Sequence, residues 1–110
     1  MINFSIHLES IDDFKNPARV YDFLSKSEIK NKNLISLIGK IAAKKAFLKC
    51  LGLKDDYKKI EVKNSNSGKP YLEIIDKTLK KKLKNKKFSI SISHTKNLAI
   101  AVCLIYERKT

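Results

Sequence analysis

A chain of 110 residues has room for one domain with a modest core, and residues 1–110 read as a single domain. Apolar residues make up 43%, too many for a disordered tail, and no run approaches the roughly 20 apolar residues of a membrane helix. The 24 basic residues against 11 acidic ones give a net charge of +13, a field that favours anionic partners: nucleic acid, an anionic membrane, a phosphorylated small molecule or an acidic protein. All but two of the basic residues are lysine, so compositional bias accounts for part of that surplus. The start of the chain, MINFSIHLES, carries no charged segment followed by an apolar run, so no signal peptide is expected. Cys50 and Cys103 have no ligand spacing with His7 and His94. They read as small apolar side chains, and free thiols place the chain in the cytoplasm.

In chain order, Phe4, Ile6 and Leu8 alternate with Ser5, His7 and Glu9, the pattern of a half-buried strand. A helix is expected from Ser10 to Asn16 with Pro17 ending it, then a second helical piece from Val20 to Leu24. Ser25 to Asn33 reads as a helix start or an exposed turn. The longest helical signal runs from Asn33, a good N-cap, to Leu51, with Gly52 placed to close it. With Leu34 as the origin, Leu37, Ile38, Ile41 and Leu48 fall within roughly 60° on one apolar stripe. Lys45 falls inside that stripe and Lys49 at its edge, while Lys40 and Lys44 lie off to one side. Lys58–Val62 and Tyr71–Ile74 read as strands joined by a hairpin over Asn64–Pro70. Asp76–Lys87 is expected as a short helix with a lysine face. Phe88, Ile90 and Ile92 alternate with Ser89, Ser91 and Ser93, and Leu98–Ile105 is apolar enough for a central strand. The fold class is α+β, one long helix on a small antiparallel sheet.

Three groups could carry chemistry. A lysine within an apolar stripe is costly unless it reaches water, meets an anion or pairs with an acid. The nearest strand partners are His7 and Glu9, two apart and so on one face. Ser91-Ile92-Ser93-His94-Thr95 offers hydroxyl and imidazole donors at a strand end. Asn66-Ser67-Gly68-Lys69-Pro70 reads as a hairpin turn. The lysines from Leu79 to Lys87 have no interleaved aromatic residues of the base-stacking kind, so nucleic acid is not the expected partner.

Taken together and in this order, these segments resemble the holo-acyl-carrier-protein synthases of the 4′-phosphopantetheinyl transferase superfamily. Gly39-Lys40-Ile41-Ala42-Ala43-Lys44-Lys45-Ala46-Phe47-Leu48-Lys49 is similar to their G-R-F-A-A-K-E-A-F-x-K helix. Ile60-Glu61-Val62 followed by Gly68-Lys69-Pro70-Tyr71-Leu72 resembles their I-E-I…G-K-P-Y hairpin. Ile90-Ser91-Ile92-Ser93-His94-Thr95-Lys96, with Ala99-Ile100-Ala101-Val102, resembles their S-I-S-H-T-K…A-A-x-V end. Ser5-Ile6-His7-Leu8-Glu9 stands where they have G-I-D-I-V.

The resemblance implies a 4′-phosphopantetheinyl transferase-like fold and transfer of 4′-phosphopantetheine from coenzyme A to a serine of acyl carrier protein. It also implies a homotrimer with sites between protomers and no membrane. Lys40, Lys44 and Lys49 match basic positions near the coenzyme phosphates; Ser93, His94 and Thr95 match the nucleotide-binding strand end; Gly68, Lys69 and Pro70 match the turn beside the adenine pocket. In the family a Mg²⁺ is held by a strand Asp and a helix Glu. Here His7 and Lys45 occupy those places, with Glu9 at the second acid position of the larger two-lobed transferases. A metal site is thereby reduced to His7 and Glu9, and the catalytic candidates are Lys45, Lys49 and Glu9. Two outcomes stay open: Lys45 replaces the metal, or the chain is an inactive binder of coenzyme A or carrier protein. The family's glycine-rich loop after the helix is missing, Gly52 running straight into Leu53-Lys54-Asp55-Asp56, and Asp13 stands at an Arg that meets the carrier protein.

Overall fold

The computed structural model describes residues 2–14, 16–30 and 33–107. Strand β1 covers Ile2–Ser10, helix α1 Lys26–Ile29, helix α2 Leu34–Leu51, strands β2 and β3 Ile60–Asn64 and Pro70–Ile74, helix α3 Lys77–Lys82, and strands β4 and β5 Lys86–His94 and Leu98–Glu107. The sheet that carries α2 is antiparallel in the order β1-β5-β4, and β2 and β3 form a separate two-stranded sheet. The expected central strand is therefore in the centre, as β5.

Helix α2 owes its ends to local chemistry. Asn33 Oδ1 accepts the Ser36 amide at 2.8 Å. Gly52, in the left-handed region at φ 70°, closes the helix, and the Leu53 amide reaches back to the Leu48 carbonyl at 2.9 Å. Its middle is built of small residues. Ala42, Ala43 and Ala46 are fully buried, as are Ala99 and Ala101 of the central strand. A Cβ on Gly39 would stand 2.9 Å from Ile92 Cγ2, so α2 also sits close to β4.

Several expectations change. The helix predicted over Ser10–Asn16 is a single 3-10 turn, Ile11–Phe14; Lys15 lies outside the described residues. Pro17 starts a turn instead of ending one. Asn16 Oδ1 caps the 3-10 segment Pro17–Asp22 by accepting the Ala18 amide, and the first position needs no N–H. Strand β2 begins at Ile60 because Tyr57–Lys59 form a 3-10 turn. The helix predicted to run to Lys87 stops at Lys82, and Lys86 and Lys87 open β4, paired with Glu107 and Tyr106 of β5.

The largest change concerns β1. Its apolar side chains Phe4, Ile6 and Leu8 face outward and are exposed, whereas Ser5 and Glu9 are buried beneath α2. The alternation is real but the faces are exchanged. Ser5 Oγ donates to the Ala46 carbonyl, so the polar face has partners on the helix.

The lysine assignment on α2 also shifts. Lys44, expected off to one side, is completely buried, and Lys45, expected inside the stripe, is only partly so. A single apolar stripe presumes one covered face, but α2 is covered by the sheet on one side and by α1, β2 and the 3-10 turns on the other. Lys44 Nζ donates to Glu28 Oε1 at 2.6 Å and to the carbonyls of Phe23 and Tyr57 at 2.8 and 2.9 Å. Glu28, at 2% exposure, also accepts the Ser25 amide at 2.9 Å and the Val62 amide at 2.8 Å. One carboxylate thus ties α1, α2 and β2 together. Burial lowers the Lys44 pKa, and the hydrogen bond and charge of Glu28 oppose that shift.

Cys103 is buried and Cys50 half-buried, and both are free. Burial, with Cys50 nearby, pushes the Cys103 thiol up to about 12.

Two outcomes follow from this packing. Glu28→Ala and Lys44→Met should each lower unfolding stability by about 3–5 kcal/mol in urea titration, because each strands a buried charge. A thiol reagent at about pH 8 should modify Cys50 first and Cys103 only at the rate of unfolding, since the thiolate is the reactive form.

Candidate functional site

The inward face of β1 and the second half of α2 meet in a polar triad. Glu9 Oε1 accepts from Lys45 Nζ at 2.9 Å, and Glu9 Oε2 lies 2.7 Å from His7 Nε2. The Lys45 ammonium also stands 4.8 Å from the centre of the Phe23 ring, a favourable cation–π position. His7 and Lys45 border a cavity of about 550 Å³ that Lys49, Lys54, Asp55 and Tyr57 also line. Asp55, at φ 60°, takes the left-handed conformation in the short connection after Gly52, one that Asp tolerates better than most residues. Burial, with the charges of Asp55 and Glu9, raises the Tyr57 phenol pKa, so it remains a neutral donor.

A second cavity, about 220 Å³, lies on the other flank of α2, bordered by Gly39, Lys40, Asn64, Gly68, Pro70 and His94. Lys40 is nearly buried and donates to the Glu28 carbonyl at 3.0 Å. A third hollow, between β3 and β4, takes Lys69, which so parts from its neighbours Gly68 and Pro70 on the nucleotide-side candidate list, although Pro70 borders both.

The register fixes how these regions relate. Ala99 pairs with both Glu9 and His94, and Ala101 with both His7 and Ile92. Glu9 and His94 therefore share the α2 face of the sheet two strands apart, roughly 10 Å at ordinary strand spacing, with α2 packed between them. Residues grouped by sequence are separated accordingly. Ser93 belongs to the outer face with Ser91 and Ser89, since all three pair with outward positions of β5. Thr95 Oγ1 accepts the Asn97 and Leu98 amides at 3.3 and 3.1 Å, which is a turn role. Of Ser93-His94-Thr95, only His94 borders the second cavity. Lys44, expected near coenzyme phosphates, is enclosed with three acceptors and belongs to the core. Asp13, in the turn after β1, is exposed, and its carbonyl accepts from Arg19 at 3.1 Å.

Two structural participants were not apparent from sequence. Glu28, the counter-ion of Lys44, lies in a segment read as a helix start or an exposed turn, though the Ser25-x-x-Glu28 spacing of a capping box was present as a signal. Phe23, beneath Lys45, left no signal, because ring–cation contact depends on tertiary placement.

The donor set does not suit Mg²⁺. That ion asks for several hard oxygen ligands. Among the described residues, no three His, Cys, Asp or Glu side chains gather to hold a metal, and both oxygens of Glu9 are engaged by Lys45 and His7. At the positions where the resemblance implies a magnesium site, His7, Glu9 and Lys45 form a hydrogen-bonded polar triad, the helix position carrying an ammonium.

Residues 3–104 match the family model described as 4′-phosphopantetheinyl transferase, N-terminal. A holo-[acyl-carrier-protein] synthase of Caldicellulosiruptor saccharolyticus is 30% identical, with 99% of this chain and 98% of that protein covered. A Helicobacter pylori holo-[acyl-carrier-protein] synthase solved in complex with coenzyme A superposes with a TM-score of 0.80 at 27% identity, covering 94% of this chain and 99% of that one. The ACPS–CoA complex of Chronobacterium ammoniagenes, at 21% identity and a TM-score of 0.83 over 99% of both chains, shares the fold. With the helix, hairpin and strand-end motifs in their expected elements and nearly the whole length matched, this chain belongs to the holo-acyl-carrier-protein synthases of the 4′-phosphopantetheinyl transferase family.

Proposed function

We propose that this chain transfers the 4′-phosphopantetheine group of coenzyme A to a serine hydroxyl of an acyl carrier protein in the cytoplasm. The observation that carries this reading is a pair of basic cavities on the flanks of one helix, in a chain of this family. The cavity beside Lys40, Gly68, Pro70 and His94 suits the nucleotide end of coenzyme A. The cavity beside Lys45 and Lys49 suits its diphosphate. In the reaction, the serine oxygen bonds to the phosphorus next to pantetheine. The bond from that phosphorus to the bridging oxygen breaks, 3′,5′-ADP departs with the electron pair, and the serine proton passes to water in the open cavity. Phosphoryl transfer of this kind asks a protein chiefly for positioning and charge stabilisation.

One copy of the chain separates the two cavities by α2, and the site is completed by a second copy. Outward-facing Ile2, Phe4, Ile6 and Leu8 of β1 adjoin Val102, Leu104 and Tyr106 of β5, all exposed. A continuous apolar sheet face of this sort marks a protein–protein contact. It supports assembly into a homotrimer, with the nucleotide cavity of one protomer set against the Lys45 cavity of the next.

The inactive-binder reading has one observation in its favour, the Glu9–Lys45 pair in place of a metal site. Intact-mass measurement of apo carrier protein incubated with the chain and coenzyme A separates the two readings. Transfer should add one phosphopantetheine, and an unchanged mass despite coenzyme A binding would establish the binder. The shared site has its own check. Lys45→Ala and His94→Ala should each be inactive, and co-refolding them in equal amounts should restore about a quarter of the sites, as expected for a heterologous ring. Phe4→Asp should yield inactive monomers in sedimentation.

A further inference from the structure

We infer that the diphosphate of coenzyme A is held in this chain by a fixed ammonium, that of Lys45, and not by a divalent cation, with Glu9 as the positioning residue that seats it. The inference rests on the transferase reading for the identity of the ligand and on four observations for its chemistry.

First, Lys45 is located from two sides. Glu9 accepts one of its hydrogens at 2.9 Å, and the Phe23 ring lies 4.8 Å beneath the charge. An ammonium has three donors. Among the described contacts of Lys45, Glu9 is its one hydrogen-bond partner, and its side chain is 22% exposed where it borders the cavity. Donors therefore remain for a ligand.

Second, the carboxylate is itself occupied. His7 takes the second oxygen of Glu9 at 2.7 Å, which fixes the rotamer of the acid and so the direction of Lys45. A divalent ion entering here would have to break a charged hydrogen bond to reach an oxygen, and it would approach an ammonium directly.

Third, the cavity is weighted towards positive charge. Among the described lining residues, Lys45, Lys49 and Lys54 stand against Asp55, and Glu9 offsets part of the Lys45 charge from behind. A diphosphate diester carries about two negative charges, so several lysines can balance it without a metal. Low-dielectric walls focus such a field.

Fourth, the neighbouring lysine shows that the exposure of Lys45 is selective. Lys44 is enclosed with Glu28 and two carbonyls as partners, whereas Lys45 meets its acid at the cavity edge.

Glu9 does not touch the ligand in this arrangement; it acts through Lys45. Replacing it should let the lysine swing away while leaving the charge in the chain.

The test is calorimetric titration of the purified chain with coenzyme A, dephospho-coenzyme A and 3′-AMP, in EDTA and in millimolar Mg²⁺, beside the carrier-protein mass assay in the same two buffers. The expected coenzyme A affinity is the same within about twofold with and without metal. Lys45→Ala should weaken coenzyme A and dephospho-coenzyme A by the same factor, about tenfold or more, as befits a lost charged hydrogen bond. It should leave 3′-AMP, which has no diphosphate, unchanged. Glu9→Ala should give part of that loss for the same two ligands only, a pattern that general destabilisation would not produce. Combining His7→Asp with Lys45→Glu should make coenzyme A binding depend on Mg²⁺. Coenzyme A that binds only with Mg²⁺ or not at all, transfer abolished by EDTA, or a Lys45→Ala chain that binds diphosphates normally would overturn the inference. Metal-free binding with no mass gain on the carrier protein would instead sustain the ammonium site and defeat the transferase reading.

Discussion

Everything in this molecule depends on how closely α2 lies against its sheet. Gly39, Ala42, Ala43 and Ala46 offer almost no side-chain bulk, and Ala99 and Ala101 of β5 answer them with equally small ones. Small-on-small packing brings the helix down onto the central strand and leaves no room between them for a ligand. Chemistry is thus pushed to the two flanks, where β1 and β4 carry longer side chains. The division of the site into two cavities is a direct consequence.

That close approach also sorts four lysines on a single helix. Lys40 and Lys44 turn towards α1 and β2, where Glu28 and backbone carbonyls receive them, and they stabilise the fold. Lys45 and Lys49 turn towards the flank of β1. Lys49 is exposed, and Lys45 is half-enclosed against Glu9 and Phe23. Adjacent residues of one type differ in task because an α-helix rotates its side chains by about 100° per residue and each side of α2 meets a different neighbour. A buried ammonium with a buried carboxylate is costly to break, whereas an ammonium at a cavity edge keeps the freedom to exchange partners.

The exchange of faces on β1 has the same origin. A strand with Phe4, Ile6 and Leu8 on one side and Ser5, His7 and Glu9 on the other would, on its own, bury the first set. Here the second set is drawn inward because α2 offers it the Ala46 carbonyl and the Lys45 ammonium, and the apolar set is left to an external surface. Hydrophobic burial is not forgone if a second copy covers that surface.

The amino-acid sequence by itself determined the long helix with its caps at Asn33 and Gly52, the apolar strand at the centre of the sheet and the family, because caps, periodicity and motif spacing are local properties of the chain. It also brought Lys45, His7 and Glu9 to attention as charged residues out of keeping with their surroundings. Only the tertiary structure decided which lysine is buried and which face of β1 is covered. Those outcomes turn on Glu28, Phe23 and the Ala46 carbonyl. Each is a contact between segments far apart in the chain, and a pattern of neighbours along the sequence carries no record of it.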